Sequence, residues 1–136
     1  MDWTKLKYFK KNEFSEPDKM QESILLLLDN FRDFIQSPLI ITSDFRTDDK
    51  GQHGGGFAVD VIAYKWNKNL IDLYLAAERF NFQGIGIYPY WRHGNKRTGG
   101  LHLDNGGRTE PARWLCMVKN EYIALNYENL KKFNII

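Results

Sequence analysis

The sequence has one cysteine, no long apolar run and almost no excess of either charge, and each shortage excludes a class of protein. Cys116 alone cannot close an internal disulfide, so the fold stands on packing, with or without a metal. It lies in the apolar run Trp114-Leu115-Cys116-Met117-Val118, which predicts a buried, inert thiol. No stretch reaches the roughly 18 apolar residues that a membrane span requires, so no membrane insertion is expected. Met1-Asp2-Trp3-Thr4-Lys5 lacks the apolar segment of a secretory signal, which predicts synthesis in the cytoplasm without a signal peptide. Lys and Arg number 19 against 17 Asp and Glu, a formal net charge of +2, too small by itself to argue for a nucleic-acid partner. Repeats and low-complexity linkers are also absent.

What remains is a chain of 136 residues, the size of a single domain spanning 1–136. Hydrophobic residues at 43% and charged residues at 26% are ordinary for a globular protein. Aromatics at 15% point to a well-filled core or an aromatic-lined cleft. Ser15-Glu16-Pro17-Asp18 reads as a helix start. Met20, Ile24, Leu27, Leu28, Phe31 and Ile35 recur at helical spacing, so 19–36 is expected to be one core-packed helix ended by Pro38. Strands are expected at 39–42, 57–64, 85–88 and 101–104, and a second helix over 67–80. A hairpin follows, 115–118 turning at Lys119-Asn120 into 122–125, then a short helix from Asn126. Strands joined mostly by loops predict an α+β fold with a small, mainly antiparallel sheet carrying helices on one side.

Two histidines and a carboxylate stand out against this frame. His53 precedes Gly54-Gly55-Gly56, whose backbone turns back without steric penalty. Asp60 shares a strand face with Ala58 and Ile62, an environment costly for a carboxylate unless something compensates it. His102 and Asp104 share one face of a later strand, while Leu101 and Leu103 take the other. Three N/O ligands with a fourth position open have the composition of a catalytic zinc site, here on the sheet surface.

His53-x-x-Gly56-x-Ala58-x-Asp60 matches the first zinc motif of the D-alanyl-D-alanine carboxypeptidases and related phage endolysins, and His102-x-Asp104 resembles that family's closing motif. Ile41-Thr42-Ser43-Asp44-Phe45-Arg46-Thr47, Gly84-Ile85-Gly86-Ile87-Tyr88 and Ala112-Arg113-Trp114 are similar to flanking elements, so the resemblance runs from about Leu6 to Trp114. It implies hydrolysis of amide bonds in peptidoglycan stem peptides by a monomer. His53, Asp60 and His102 would be ligands to Zn2+, which would polarise the scissile carbonyl and lower the pKa of its bound water toward about 7. Arg46 would bind a substrate carboxylate or stabilise the oxyanion, for which a forked, permanently charged guanidinium is suited. Its ordinary alternative is a surface ion pair with Asp44 or Asp48.

The pattern breaks at the proton-transfer residue. The family places a Glu three residues before the last ligand or a His two before, and here those positions are Gly99 and Gly100. Gly51 likewise stands where a Ser often precedes the first ligand. Asp104 is the first substitute expected, as a catalytic group beside the metal; the alternative is a carboxylate that orients His102. His93, Tyr88 and Tyr90 follow, Tyr88 also as a substrate contact. The basic loop 91–99, with Arg92, Lys96 and Arg97, reads as a solvated face able to meet an anionic wall polymer. The expectation is a lysin-like zinc peptidase acting at the bacterial cell wall, or else a catalytically impaired, metal-containing wall-binding module.

Overall fold

The computed structural model describes all 136 residues, in an α+β arrangement. Three single turns of 3₁₀ helix, Trp3–Lys5, Lys11–Glu13 and Pro17–Lys19, lead into helix α1, Glu22–Ile35. The expected helix over 19–36 is therefore divided. Met20 and Gln21 are extended, and the Gln21 N–H is given to the Gly56 carbonyl at 2.9 Å, which ties the start of α1 to the loop carrying His53. At its other end Gln36 turns left-handed (φ 53°), two residues before Pro38. Asp29, buried in α1, accepts the backbone N–H groups of Lys7, Tyr8 and Phe9 at 2.8, 2.9 and 3.3 Å and pins the N-terminal lead against the helix.

The sheet has six strands: β1 (Ile40–Ser43), β2 (Ala58–Ile62), β3 (Gly84–Tyr88), β4 (Gly100–Asp104), β5 (Ala112–Val118) and β6 (Glu121–Ala124). Their order is β1-β2-β4-β3-β5-β6, and only the β3–β5 pair is parallel. Helix α2, Leu70–Ala77, is shorter than the expected 67–80: Asn69 and Asp72 form a capping box that fixes its start, and beyond Ala77 the N–H groups of Arg79 and Phe80 bond three residues back, in tighter turns. A last helix, α3 (Tyr127–Lys132), follows Asn126, whose side chain accepts the Asn129 N–H as its cap.

Strand alternation sorts the two faces. Val59, Val61, Ile85, Ile87, Leu101, Leu103 and Leu115 point into one hydrophobic core with Ile24, Leu25, Leu28 and Phe31 of α1 and Leu73 and Ala77 of α2. Phe31 anchors that core, edge-on to both Phe80 and Phe82. Their neighbours in sequence, Asp60, Gly86, Tyr88, Gly100, His102 and Trp114, take the opposite face. The helices thus seal one side of the sheet and leave the other for a site.

Candidate metal centre

Asp60 on β2 and His102 on β4 are direct partners in the antiparallel register, so their side chains stand side by side. His53 reaches the same point from the β1–β2 loop, where its carbonyl accepts the N–H groups of Arg46 and Gly56, each at 3.2 Å. Asp60 Oδ1 lies 3.3 Å from His53 Nε2 and 3.1 Å from His102 Nδ1. All three residues are buried, and one ligand atom from each falls within 4.8 Å of the others.

The far sides of both imidazoles are occupied. His53 Nδ1–H donates to the Asp44 carbonyl at 2.7 Å, and His102 Nε2–H donates to Asp104 Oδ2 at 2.6 Å. These bonds fix each ring and turn its remaining nitrogen toward Asp60, the arrangement that outer partners impose on metal-ligating histidines. The donor set, two imidazoles and one carboxylate around one point with a cleft beyond, fits a divalent cation such as zinc. Burial alone would favour the neutral acid of Asp60, but hydrogen bonds from His102 and His53 outweigh it and hold the carboxyl at about 2. Burial likewise opposes charge on His102, yet its bonds to Asp104 and Asp60 raise its pKa.

A cation and the His102 proton therefore compete. Metal uptake is expected to release a proton near neutral pH, and affinity to rise as pH passes upward through the raised His102 pKa. Calorimetric titration with zinc in buffers of different ionisation enthalpy checks this; a heat independent of the buffer would contradict it.

The structure places Asp104 behind His102. It is fully buried, and its carboxylate is taken up by His102 and by a two-pronged contact from Arg108, whose Nε and Nη2 each approach to 2.9 Å. That is the orienting position, away from the cleft, and not beside a reacting water as a catalytic role would require. Asp104→Asn is expected to weaken zinc binding by roughly 10–100-fold, the usual cost of losing such a partner, measured by competition with a chromophoric chelator.

The cleft above the site measures about 670 Å³. Arg46 stands on its rim, paired not with Asp44 or Asp48 but with Asp60 Oδ2 at 3.1 Å and Asp49 Oδ2 at 3.4 Å. Tyr88 also lines it, accepting a hydrogen bond from Trp114 Nε1 at 2.8 Å. Burial pushes the Tyr88 phenol far up, so it stays a neutral O–H donor. Tyr90 is in the cleft; His93 is outside it, exposed in a turn against Tyr64. Cys116 is fully buried as expected.

Several site residues escaped the sequence reading. Arg108 is one; Trp114 is another, its ring 5.0 Å from the His102 ring and laid across Gly86, where any Cβ would fall 2.3 Å from the indole nitrogen. Lys119, Asn120 and Tyr122 of the β5–β6 hairpin complete the rim. The Asp104-Asn-Gly-Gly-Arg108 turn was the only available signal for Arg108. Trp91 is the most consequential. It stacks on Tyr88 with centroids 4.2 Å apart, and a Cβ at Gly100 would meet its ring and the Val61 carbonyl oxygen, both at 2.5 Å. The space a proton-transfer side chain at 100 would take is filled.

Comparisons with protein-family models, with curated proteins and with solved structures find nothing that matches this chain.

Proposed function

We propose that this protein is a zinc-dependent peptidase of peptidoglycan stem peptides. The observation that carries the metal half of this reading is the convergence of His53 Nε2, Asp60 Oδ1 and His102 Nδ1, each imidazole tied off behind. The substrate half rests on the motif resemblance and on the cleft. Zinc held by these three residues would supply Lewis acidity toward a scissile carbonyl. The Tyr88 hydroxyl, with its oxygen already accepting from Trp114, keeps its proton free to donate to a developing oxyanion. Arg46 can release Asp49 and turn to a substrate carboxylate, since its side chain is half-exposed on the rim. Besides Asp60, Asp49 is the one carboxylate lining the cleft, and so the remaining candidate for proton transfer.

A second reading has its own support: Trp91 and the glycines at 99 and 100 leave the family's proton-transfer positions without a side chain, as a wall-binding module that no longer cuts would tolerate. Incubating zinc-loaded protein with purified peptidoglycan separates the two. New amine termini that vanish in Tyr88→Phe or Asp49→Asn support the peptidase. Retention on walls with no new termini supports the module.

A further inference from the structure

A group of cations without ion-pair partners lies away from the metal cleft. One groove of about 650 Å³ runs between the end of α1, the β2–α2 loop and α2, and a second of about 430 Å³ lies between that loop and residues 96–99. Trp66, Asn67 and Lys68 line both, so the two grooves adjoin at the β2–α2 loop. Lys65, Lys68 and Arg79 face the first, and Lys68, Lys96 and Arg97 the second.

None of these five cations makes a salt bridge. Asp72, the acid of the first groove, spends its Oδ2 on the Asn69 N–H at the start of α2. The grooves with Asp72 carry a net +4, twice the formal charge of +2 on the whole chain. Neither groove shares a residue with the metal cleft.

We propose that the two adjoining grooves bind a linear phosphodiester polyanion of the polyol-phosphate type. Five cations without ion pairs, spread over two adjoining concave surfaces, suit a flexible chain with one negative charge per repeat. Single-stranded nucleic acid is less well served, because such sites stack successive bases on several aromatic rings. Here the rings on the groove walls are already engaged: Trp66 has the Lys68 ammonium 5.7 Å over its ring and its N–H bonded to the Asn69 carbonyl, and Tyr64 packs on His93 with centroids 4.9 Å apart. A bilayer surface is also less well served: the exposed Phe34 and Leu75 of the first groove stand among Lys65, Lys68 and Arg79, with the Arg79 guanidinium 4.7 Å over the Phe34 ring.

The test is an anisotropy titration of the full chain against labelled poly(glycerol phosphate). With about four phosphates neutralised, affinity should fall about fiftyfold between about 50 and 200 mM salt. The double variant Lys65→Glu with Lys68→Glu should bind at least about tenfold more weakly, charge reversal removing two of those phosphate contacts. It should keep its thermal transition and its zinc uptake. Lys131→Glu with Lys132→Glu, at the end of α3, should change binding less than about twofold. Three results would overturn the proposal: no binding at low salt, equal losses in the two double variants, or tighter binding of a single-stranded oligonucleotide of the same charge. Zinc content and peptide hydrolysis do not enter the readout, so this site and the peptidase reading stand or fall separately.

Discussion

Asp60→Asn is expected to reduce zinc affinity by on the order of 1000-fold or more, well beyond the roughly 10–100-fold attached to an outer partner such as Asp104. The substitution keeps size and shape and removes the one anion on which the site converges. Two neutral imidazoles and an amide are a poor match for a dication, and the Arg46 guanidinium would be left facing that amide. Isothermal titration with zinc measures the loss; affinity within tenfold of the unaltered protein would show that Asp60 is not a ligand. The metal-free protein should also change. With its folded pKa near 2 against 3.8 for the free group, the Asp60 carboxylate contributes about 2 kcal/mol at neutral pH. A depressed carboxylate pKa means that this contribution is complete above about pH 4 and fades as pH falls through 2. Asp60→Asn should therefore flatten the acid limb of the stability profile, followed by denaturant unfolding of the apo-protein.

Phe31→Ala should be the most damaging single truncation in the core, at about 3–5 kcal/mol. Phe31 is wholly buried on α1, and its ring meets Phe80 and Phe82 edge-on with centroids 5.8 and 5.7 Å apart. Those neighbours come from the segment between α2 and β3, which delivers β3 to the centre of the sheet. Collapse onto the vacated space would have to move that segment, so the cavity should persist. At the size of this chain the loss corresponds to a fall in Tm of roughly 10–15 °C, readable by circular dichroism. A fall below about 3 °C would mean that the helix layer is not packed on the sheet as described.

Much of this architecture was legible because period and chemistry agreed. Alternation along 101–104 separated His102 and Asp104 from Leu101 and Leu103, and the same rule turned Asp60 away from Val59 and Val61. Opposite faces of one small sheet then follow, one for the helices and one for the site. Helix ends were less legible. The apolar spacing that begins at Met20 ignores the hydrogen bond from Gln21 to Gly56, a contact across 35 residues that halts the helix before Glu22.

The site divides in the same way. Local motifs pointed to His53, Asp60 and His102 as candidates, and the register of β2 against β4 brings two of them together. Residues recruited across the sheet carried no spacing to read: Trp114 comes from the parallel β3–β5 pair, and Trp91 from an irregular loop that has no periodicity to assign its ring a face. Asp104 illustrates the limit of face assignment. Period two placed it on the ligand side correctly, but only the position of Arg108 shows that its carboxylate looks behind His102 and not into the cleft.

The central claim is that His53, Asp60 and His102 hold one divalent cation. Anomalous diffraction at the zinc absorption edge, on crystals of protein loaded with one equivalent of zinc, tests it most directly. A single strong peak is expected, bonded to His53 Nε2, the Asp60 carboxylate and His102 Nδ1 at roughly 2.0–2.2 Å from each. A peak elsewhere, or no peak with the His102 ring still bonded to Asp60, would contradict it.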